Sequence, residues 1–108
     1  MENDDILKLF NEKFGTSVDL RMRKLEEEFN ELKEAHEADP FKNDGNLSDF
    51  IDELADLNAV LFHITGIFGL TQDMLLKMAV DKVICREKDQ NYKRKHPLVE
   101  NRYGGIDR

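Results

Sequence analysis

Four acidic residues at helical spacing give this sequence its clearest chemical signal. They are Glu28 and Glu31 in KLEEEFNELKEA, followed by Glu53 and Asp56 in FIDELADL. Residues three apart lie on one face of an α-helix, so each segment presents neighbouring carboxylates. If the two helices fold against each other, these carboxylates meet across a groove and repel strongly unless a cation neutralises them. Oxygen ligands suit a hard cation such as Mg²⁺, which commonly shares its coordination shell with substrate phosphates.

The acids are expected at the edge of an apolar face. At about 100° per residue, Glu28 and Glu31 lie about 60° and 120° from Leu25, on the same side of the helix. Acids at this spacing are also common on solvated helix faces, where they have no function. Their position beside apolar stripes favours a functional groove. The predicted stripes are Met22, Leu25, Phe29 and Leu32 in the second helix, and Phe50, Leu54, Leu57 and Leu61 in the third.

Capping residues and helix breakers predict the elements that position these acids. We expect a first helix capped by Asn3 or Asp4 and stopped by Gly15, and a second from a Ser17 or Asp19 cap to Ala38. The segment DPFKNDGNL is typical of a loop. Further along the chain, Ser48 is expected to cap the third helix, which ends at Phe68 and Gly69. A fourth helix is expected from Thr71 to about His96, because Pro97 follows.

The second half of the third helix, AVLFHITGIF, is apolar almost all round. Such a helix is usually buried on every side, which predicts a central helix that also forms a subunit interface. Since no alternating strand pattern occurs, we expect an all-α bundle of four to five helices, oligomeric, with a central buried third helix. Residues 1–97 are predicted to form one helical domain and residues 98–108 an irregular tail.

The composition argues against some classes of binding partner and predicts where the protein is located. The 108 residues carry a formal net charge of −7, which argues against binding a nucleic-acid polymer or an anionic membrane. Cys85 is the only cysteine; it is expected to be a small core residue, and a reducing compartment suits it. The start of the chain does not resemble a secretory signal, and no stretch has the ~20 apolar residues of a membrane span. A cytoplasmic protein is therefore predicted.

The two acidic segments resemble the signature blocks of the MazG-like, all-α nucleoside triphosphate pyrophosphohydrolases, which read E-E-x-x-E and E-x-x-D. The segment ILKLFNEKFG resembles the lead-in of small members related to phosphoribosyl-ATP pyrophosphohydrolase. LLKMAVDK and KRKHP match a third block more loosely. The resemblance covers about residues 5–97.

This resemblance implies roles for the acids. Glu28, Glu31, Glu53 and Asp56 would bind Mg²⁺, for which Mn²⁺ can substitute. Glu27 would orient or deprotonate the attacking water. The implied reaction splits the α–β phosphoanhydride of a (deoxy)nucleoside triphosphate into a monophosphate and pyrophosphate. A homodimer or homotetramer is the expected assembly.

Residues for the rest of the substrate are expected further along the chain. A buried Asn58 amide would contact a base or sugar, or only satisfy a core partner. The other candidates are Lys77, Asp81, Lys82 and Arg86 on the fourth helix and Lys93, Arg94 and Lys95 at its end, all at spacings that any exposed helix also shows.

Two alternatives to the primary hypothesis stay open. One is hydrolysis of phosphoribosyl-ATP, which breaks the same bond in a different molecule. The other is a non-catalytic helical interaction module whose acids form a solvated surface. A ferritin-like di-iron site is excluded because no Glu-x-x-His pair precedes any of the three histidines. His63, which lies among apolar residues, is expected to be a hydrogen-bonded core or interface residue.

Overall fold

The computed structural model describes residues 1–88, and side chains through residue 86. This part of the chain consists of four α-helices: α1 (Asn3–Phe14), α2 (Val18–Glu37), α3 (Asp44–Ile67) and α4 (Gln72–Lys88). No strand occurs within it, and the all-α prediction is confirmed. The predicted helix end at His96, the basic residues 93–95 and the tail 98–108 lie outside the described residues.

The chain forms two compact units, Met1–Thr71 and Gln72–Arg108. In the first unit α3 contacts both α1 and α2. The third helix is therefore central to this unit, as its apolar composition predicts. The second unit begins at the start of α4.

The connection between α2 and α3 is shorter than the sequence suggests. The predicted N-cap at Ser48 is wrong: α3 begins at Asp44, and the Asn43 side chain accepts a hydrogen bond from the Asn46 backbone N–H at 2.8 Å. The Asn46 side chain then donates to the Ala38 carbonyl oxygen at 2.7 Å. Asn and Ser are both good N-caps. The hydrogen bond from Asn46 to the Ala38 carbonyl favours the earlier cap at Asn43 because it places Asn46 next to the end of α2.

The other helix boundaries are close to prediction. Ser17 caps α2 by accepting a hydrogen bond from the Leu20 backbone N–H. Glu2 precedes α1, where Asn3 or Asp4 was expected, and its backbone N–H donates to Asp5 Oδ2 at 3.3 Å. Gly15 and Gly69, the two predicted stops, have φ values of 75° and 74°, a conformation that favours glycine.

The buried face of α2 differs from the predicted apolar stripe. Arg21 and Glu28 are its buried residues, whereas Met22 and Phe29 are about half exposed. Periodicity places an apolar arc correctly but cannot say which edge of that arc contacts the neighbouring helix. Other residues predicted to be in the core are also exposed in the described chain: Leu54 and Leu61 on α3, Cys85, and the apolar band of α4 at Leu75, Leu76, Met78, Ala79, Val80, Val83 and Ile84.

Aromatic contacts hold α1 against α3. The Phe10 ring lies edge-on to Phe62, with centroids 6.1 Å apart, and edge-on to His63 at 5.7 Å. His63 is fully buried, and its Nε2 lies 2.8 Å from Oδ1 of Asn11. His63 is therefore a hydrogen-bonded core residue, as predicted.

Among the described helices, none is by itself long and apolar enough to cross a membrane. Only α3 and α4 taken together, with the break between them, reach that length and hydropathy.

Candidate metal centre

The structure brings all five predicted acids into two overlapping groups. In the first, oxygen atoms of Glu27, Glu28 and Glu31 lie within 4.8 Å of one another. In the second, the same limit holds for Glu28, Glu53 and Asp56. Glu28 belongs to both groups, so the carboxylates of α2 and α3 meet around this residue.

Glu28 is the most enclosed of these acids. It is 5% exposed, Glu53 is half-buried, and Glu27 and Asp56 are exposed. Atom Oε2 of Glu28 and Oε2 of Glu53 are enclosed without a hydrogen-bond partner. A buried carboxylate oxygen without a partner carries a large desolvation cost. Neither oxygen has a hydrogen-bond donor, so each would be stabilised by added positive charge.

Lys24 partly supplies that positive charge. Its Nζ lies 3.1 Å from Glu28 Oε1 and 3.2 Å from Glu27 Oε1. Hydrogen bonds to Glu28 and then Glu27 raise the pKa of Lys24, so the ammonium form is favoured. Lys24 thus brings one positive charge to the carboxylates of Glu27 and Glu28.

The crowding of carboxylates raises the pKa of Glu31. Hydrogen bonding to Glu28 is the largest cause, followed by desolvation and by the negative charges of Glu28 and Glu53. Together these raise the pKa of Glu31 from 4.5 to about 7. A proton here relieves the repulsion that a divalent cation would otherwise relieve.

The residues present fit a divalent cation. The donors are all carboxylate oxygens, they converge within coordination reach of one another, and two of them are buried with no partner. This chemistry suits Mg²⁺ or Mn²⁺ better than a soft metal, which prefers thiolate or imidazole ligands. Because Glu28 belongs to both groups, it would help to hold a cation bound at either one.

A cavity of about 510 Å³ opens beside the acids within the first unit. Glu28 and Asp56 line it together with the side chains of Phe10, Phe14 and Arg21. This volume is within the range of about 300–1,000 Å³ typical of small-molecule sites. A ligand in the cavity would contact the carboxylates, two aromatic rings and a guanidinium. The remaining lining residues are Lys24, Ala59 and Val60.

Of the predicted substrate-binding residues, Asn58 belongs to the unit that holds the acids. Asn58 is exposed rather than buried, although the next two residues along α3 line the cavity. Helix geometry explains why Asn58 is exposed while its neighbours line the cavity, because each residue along α3 turns the side-chain direction by about 100°. The α4 candidates belong to the second unit; Lys77, Asp81 and Lys82 are exposed there and Arg86 is half-buried.

Sequence reasoning predicted Glu28 but missed the other cavity residues of α1 and α2, which are Phe10, Phe14, Arg21 and Lys24. Arg21 and Lys24 precede Glu28 at a spacing of i, i+3 and i+7, which places all three on one helix face. That spacing indicates a charged helix face, but the neighbouring apolar stripe predicts burial of Met22 and Phe29 instead.

Comparison with known proteins places the chain in a family. The family model of phosphoribosyl-ATP pyrophosphohydrolase matches residues 7–84, which is more than half of the sequence and includes all five acids. No curated protein and no solved structure matches the chain. The family is typically dependent on divalent metals, which agrees with the acid groups. The chain therefore belongs to the phosphoribosyl-ATP pyrophosphohydrolase family, within the MazG-like all-α superfamily, and this membership implies a pyrophosphohydrolase.

Proposed function

We propose that this protein is a Mg²⁺-dependent pyrophosphohydrolase that splits the α–β phosphoanhydride of (deoxy)nucleoside triphosphates, releasing a monophosphate and pyrophosphate. The observation that carries the proposal is the convergence of the α2 and α3 carboxylates around Glu28, with buried oxygens that lack partners. The adjoining cavity offers room for a nucleotide.

Glu28, Glu31, Glu53 and Asp56 would hold Mg²⁺, or Mn²⁺ in its place. The bound ion supplies charge neutralisation for phosphate oxygens and a water of lowered pKa. The buried Glu28 fixes the position of the site because its side chain is held by α2 and by Lys24. Glu31 would act as a ligand in its deprotonated form, since a metal-binding carboxylate has lost its proton.

Glu27 has a different role in this proposal. It is exposed at the edge of the acid cluster, and Lys24 holds its Oε1 at 3.2 Å. A carboxylate in this position can accept a proton from the attacking water and orient its lone pair towards the α-phosphorus. No protein nucleophile is required, because the water is the nucleophile.

Phosphoribosyl-ATP is the second candidate substrate, and the family match favours it. The reaction would break the same type of bond, so the metal-binding acids and Glu27 would keep their roles. Phosphoribosyl-ATP differs from ATP by an added phosphoribosyl group on the adenine base. Direct comparison of the two as substrates therefore decides between them.

We also propose that the working form is a cytoplasmic homodimer or homotetramer, without a nucleic-acid polymer or membrane as partner. Support comes from apolar side chains that one copy leaves exposed, among them Phe29, Leu54 and Leu61. Burial of such residues against a second copy is favourable because it removes apolar surface from water.

The decisive experiment measures pyrophosphate release from a panel of nucleoside triphosphates and from phosphoribosyl-ATP, with Mg²⁺, with Mn²⁺ and with a chelator. Glu53→Gln is expected to lower the rate roughly 100-fold or more, with unchanged circular dichroism. Asp52→Asn is the matched control, since it neutralises the exposed neighbouring acid outside both groups. Activity of Glu53→Gln equal to that of wild-type protein would remove the metal-site assignment. If wild-type protein releases no pyrophosphate from any of these substrates with either metal, the non-catalytic interaction module is favoured.

A further inference from the structure

Arg21 carries a buried charge that the proposed hydrolysis does not yet explain. The residue is 8% exposed and lies in the first turn of α2. Its Nε is enclosed without a hydrogen-bond partner. Arginine stays protonated at any working pH, so it cannot escape the cost of burial by losing its proton. A buried charge of this kind needs an anion nearby.

No carboxylate supplies that anion among the described side chains. The described ion pairs of Glu27 and Glu28 are made by Lys24 and not by Arg21. Arg21 instead lies over the ring of Phe14, with Cζ 4.7 Å from the ring centroid. This cation–π contact orients the guanidinium plane and offsets part of the burial cost. It leaves the positive charge itself without a counter-ion.

The cavity supplies the place for a counter-ion. Arg21 lines it together with Glu28 and Asp56, and it lies seven residues before Glu28 on the same helix face. Seven residues correspond to about 10 Å along the axis at 1.5 Å per residue. A nucleotide whose α–β bond lies at the acids can therefore extend another anionic group towards Arg21.

From this geometry we infer that Arg21 binds the terminal phosphate of the nucleoside triphosphate. This assignment rests on the proposed function, which places the α- and β-phosphates at the acid cluster. The planar guanidinium matches two phosphate oxygens and forms charge-assisted hydrogen bonds with them. Phe14 acts as a positioning residue, because its ring holds the guanidinium plane. Arg21 thus distinguishes triphosphates from diphosphates.

A double-mutant cycle between protein and ligand tests this role. Calorimetry would measure binding of an α,β-methylene nucleoside triphosphate and of the matching α,β-methylene diphosphate to the Mg²⁺-loaded protein. Wild-type protein is expected to bind the triphosphate at least about 10-fold more tightly. Arg21→Gln should lose most of that preference and Arg21→Lys only part of it. Arg23→Gln, an exposed charge two residues away, should keep it.

The outcomes separate this inference from the function on which it rests. Equal loss of affinity for both analogues in Arg21→Gln would overturn the terminal-phosphate role, even if wild-type protein hydrolyses triphosphates. Wild-type protein that binds the analogues with the expected preference but hydrolyses no nucleotide would overturn only the proposed function. Wild-type protein that binds neither analogue would overturn both. Arg21→Lys keeps the positive charge, so it provides a reading if Arg21→Gln does not fold.

Discussion

The Nε2 atom of His63 donates a hydrogen bond to Oδ1 of Asn11 over 2.8 Å and so joins α3 to α1. An amide oxygen only accepts, so Nε2 carries the proton and the enclosed Nδ1 does not. Burial, and then the charge of Arg21, lowers the pKa of His63. The imidazole is therefore neutral in the core beside the cavity, and α1 is held where Phe10 and Phe14 can line that cavity.

Asn11→Ala removes the partner of a fully buried imidazole N–H. We expect the free energy of unfolding to fall by about 1–3 kcal/mol, the cost of leaving a buried donor unsatisfied. Urea denaturation measures it. Asn30→Ala, at an exposed position of α2, should change stability by less than about 0.5 kcal/mol. Equal effects of the two substitutions would show that the Asn11–His63 bond contributes nothing.

The raised pKa of Glu31 predicts how metal-free stability depends on pH. Between about 4.5 and about 7 the folded state binds more protons at this carboxyl than the unfolded state does. Stability from this group is therefore full below about 4.5 and is lost as pH rises to about 7. His63 has the opposite slope below 6.5, because its folded pKa is lowered.

Comparison of wild-type protein with Glu31→Gln isolates the carboxyl, since His63 is present in both. Denaturation at a series of pH values in a chelator should show a larger loss with rising pH for wild-type protein. Added Mg²⁺ should reduce that loss, because the cation replaces the proton. Parallel pH profiles in the metal-free state would contradict the assignment.

Glu27 and Glu28 are adjacent but should differ in what they do. Glu27→Gln is expected to lower hydrolysis roughly 100-fold, at the level of a lost general base, while Mn²⁺ binding changes little. Glu28→Gln is expected to lose both, because Glu28 is common to the two acid groups. Calorimetric Mn²⁺ titration and turnover measure the two properties. The control is Glu26→Gln, an exposed acid outside both groups; loss of Mn²⁺ binding in Glu27→Gln would make Glu27 a ligand instead.

Lys24 competes with a metal ion for the carboxylates. Its Nζ lies within 3.2 Å of both Glu27 and Glu28, and two positive charges near the same oxygens repel each other. Lys24→Met should therefore strengthen Mg²⁺ binding several-fold and lower the melting temperature of the metal-free protein. Lys33→Met removes the same charge from an exposed position on α2. If both variants bind Mg²⁺ equally well, net charge rather than the Lys24 contact is responsible.

Gly66 allows α1 to approach α3 closely. A Cβ at this position would clash with Leu7 Cδ1 and would lie 2.8 Å from Leu7 Cδ2. Overpacking typically costs about 1–3 kcal/mol, which exceeds the gain of up to about 1 kcal/mol from replacing a helical glycine with alanine. Gly66→Ala should therefore lower the melting temperature.

Gly45→Ala is the matched test on the same helix. Its Cβ would be 3.4 Å from Asn43 Oδ1, a tolerable contact, so alanine should stabilise α3 by about 0.5–1 kcal/mol. Opposite signs for the two substitutions would establish the close approach at Gly66. A melting temperature for Gly66→Ala at or above that of wild-type protein would refute it.

Local chemistry in the sequence was enough to predict the helices and the acids. The cap at Ser17 and the stops at Gly15 and Gly69 depend on side chains and backbone conformations within a few residues. The spacing of Glu28, Glu31, Glu53 and Asp56 is equally local, because it needs only the period of an α-helix.

Tertiary structure decided what depends on contacts between helices. Asn43 rather than Ser48 caps α3, because Asn46 reaches back to the Ala38 carbonyl. Arg21 and Glu28 are buried while Phe29 is half exposed, because α2 turns its charged edge towards α3. Hydrophobic periodicity predicts which apolar residues share a helix face, but it cannot predict that charged residues such as Arg21 and Glu28 are buried beside a cavity. The acids can be predicted from the sequence. The aromatic and basic side chains beside them come together only when α1, α2 and α3 pack.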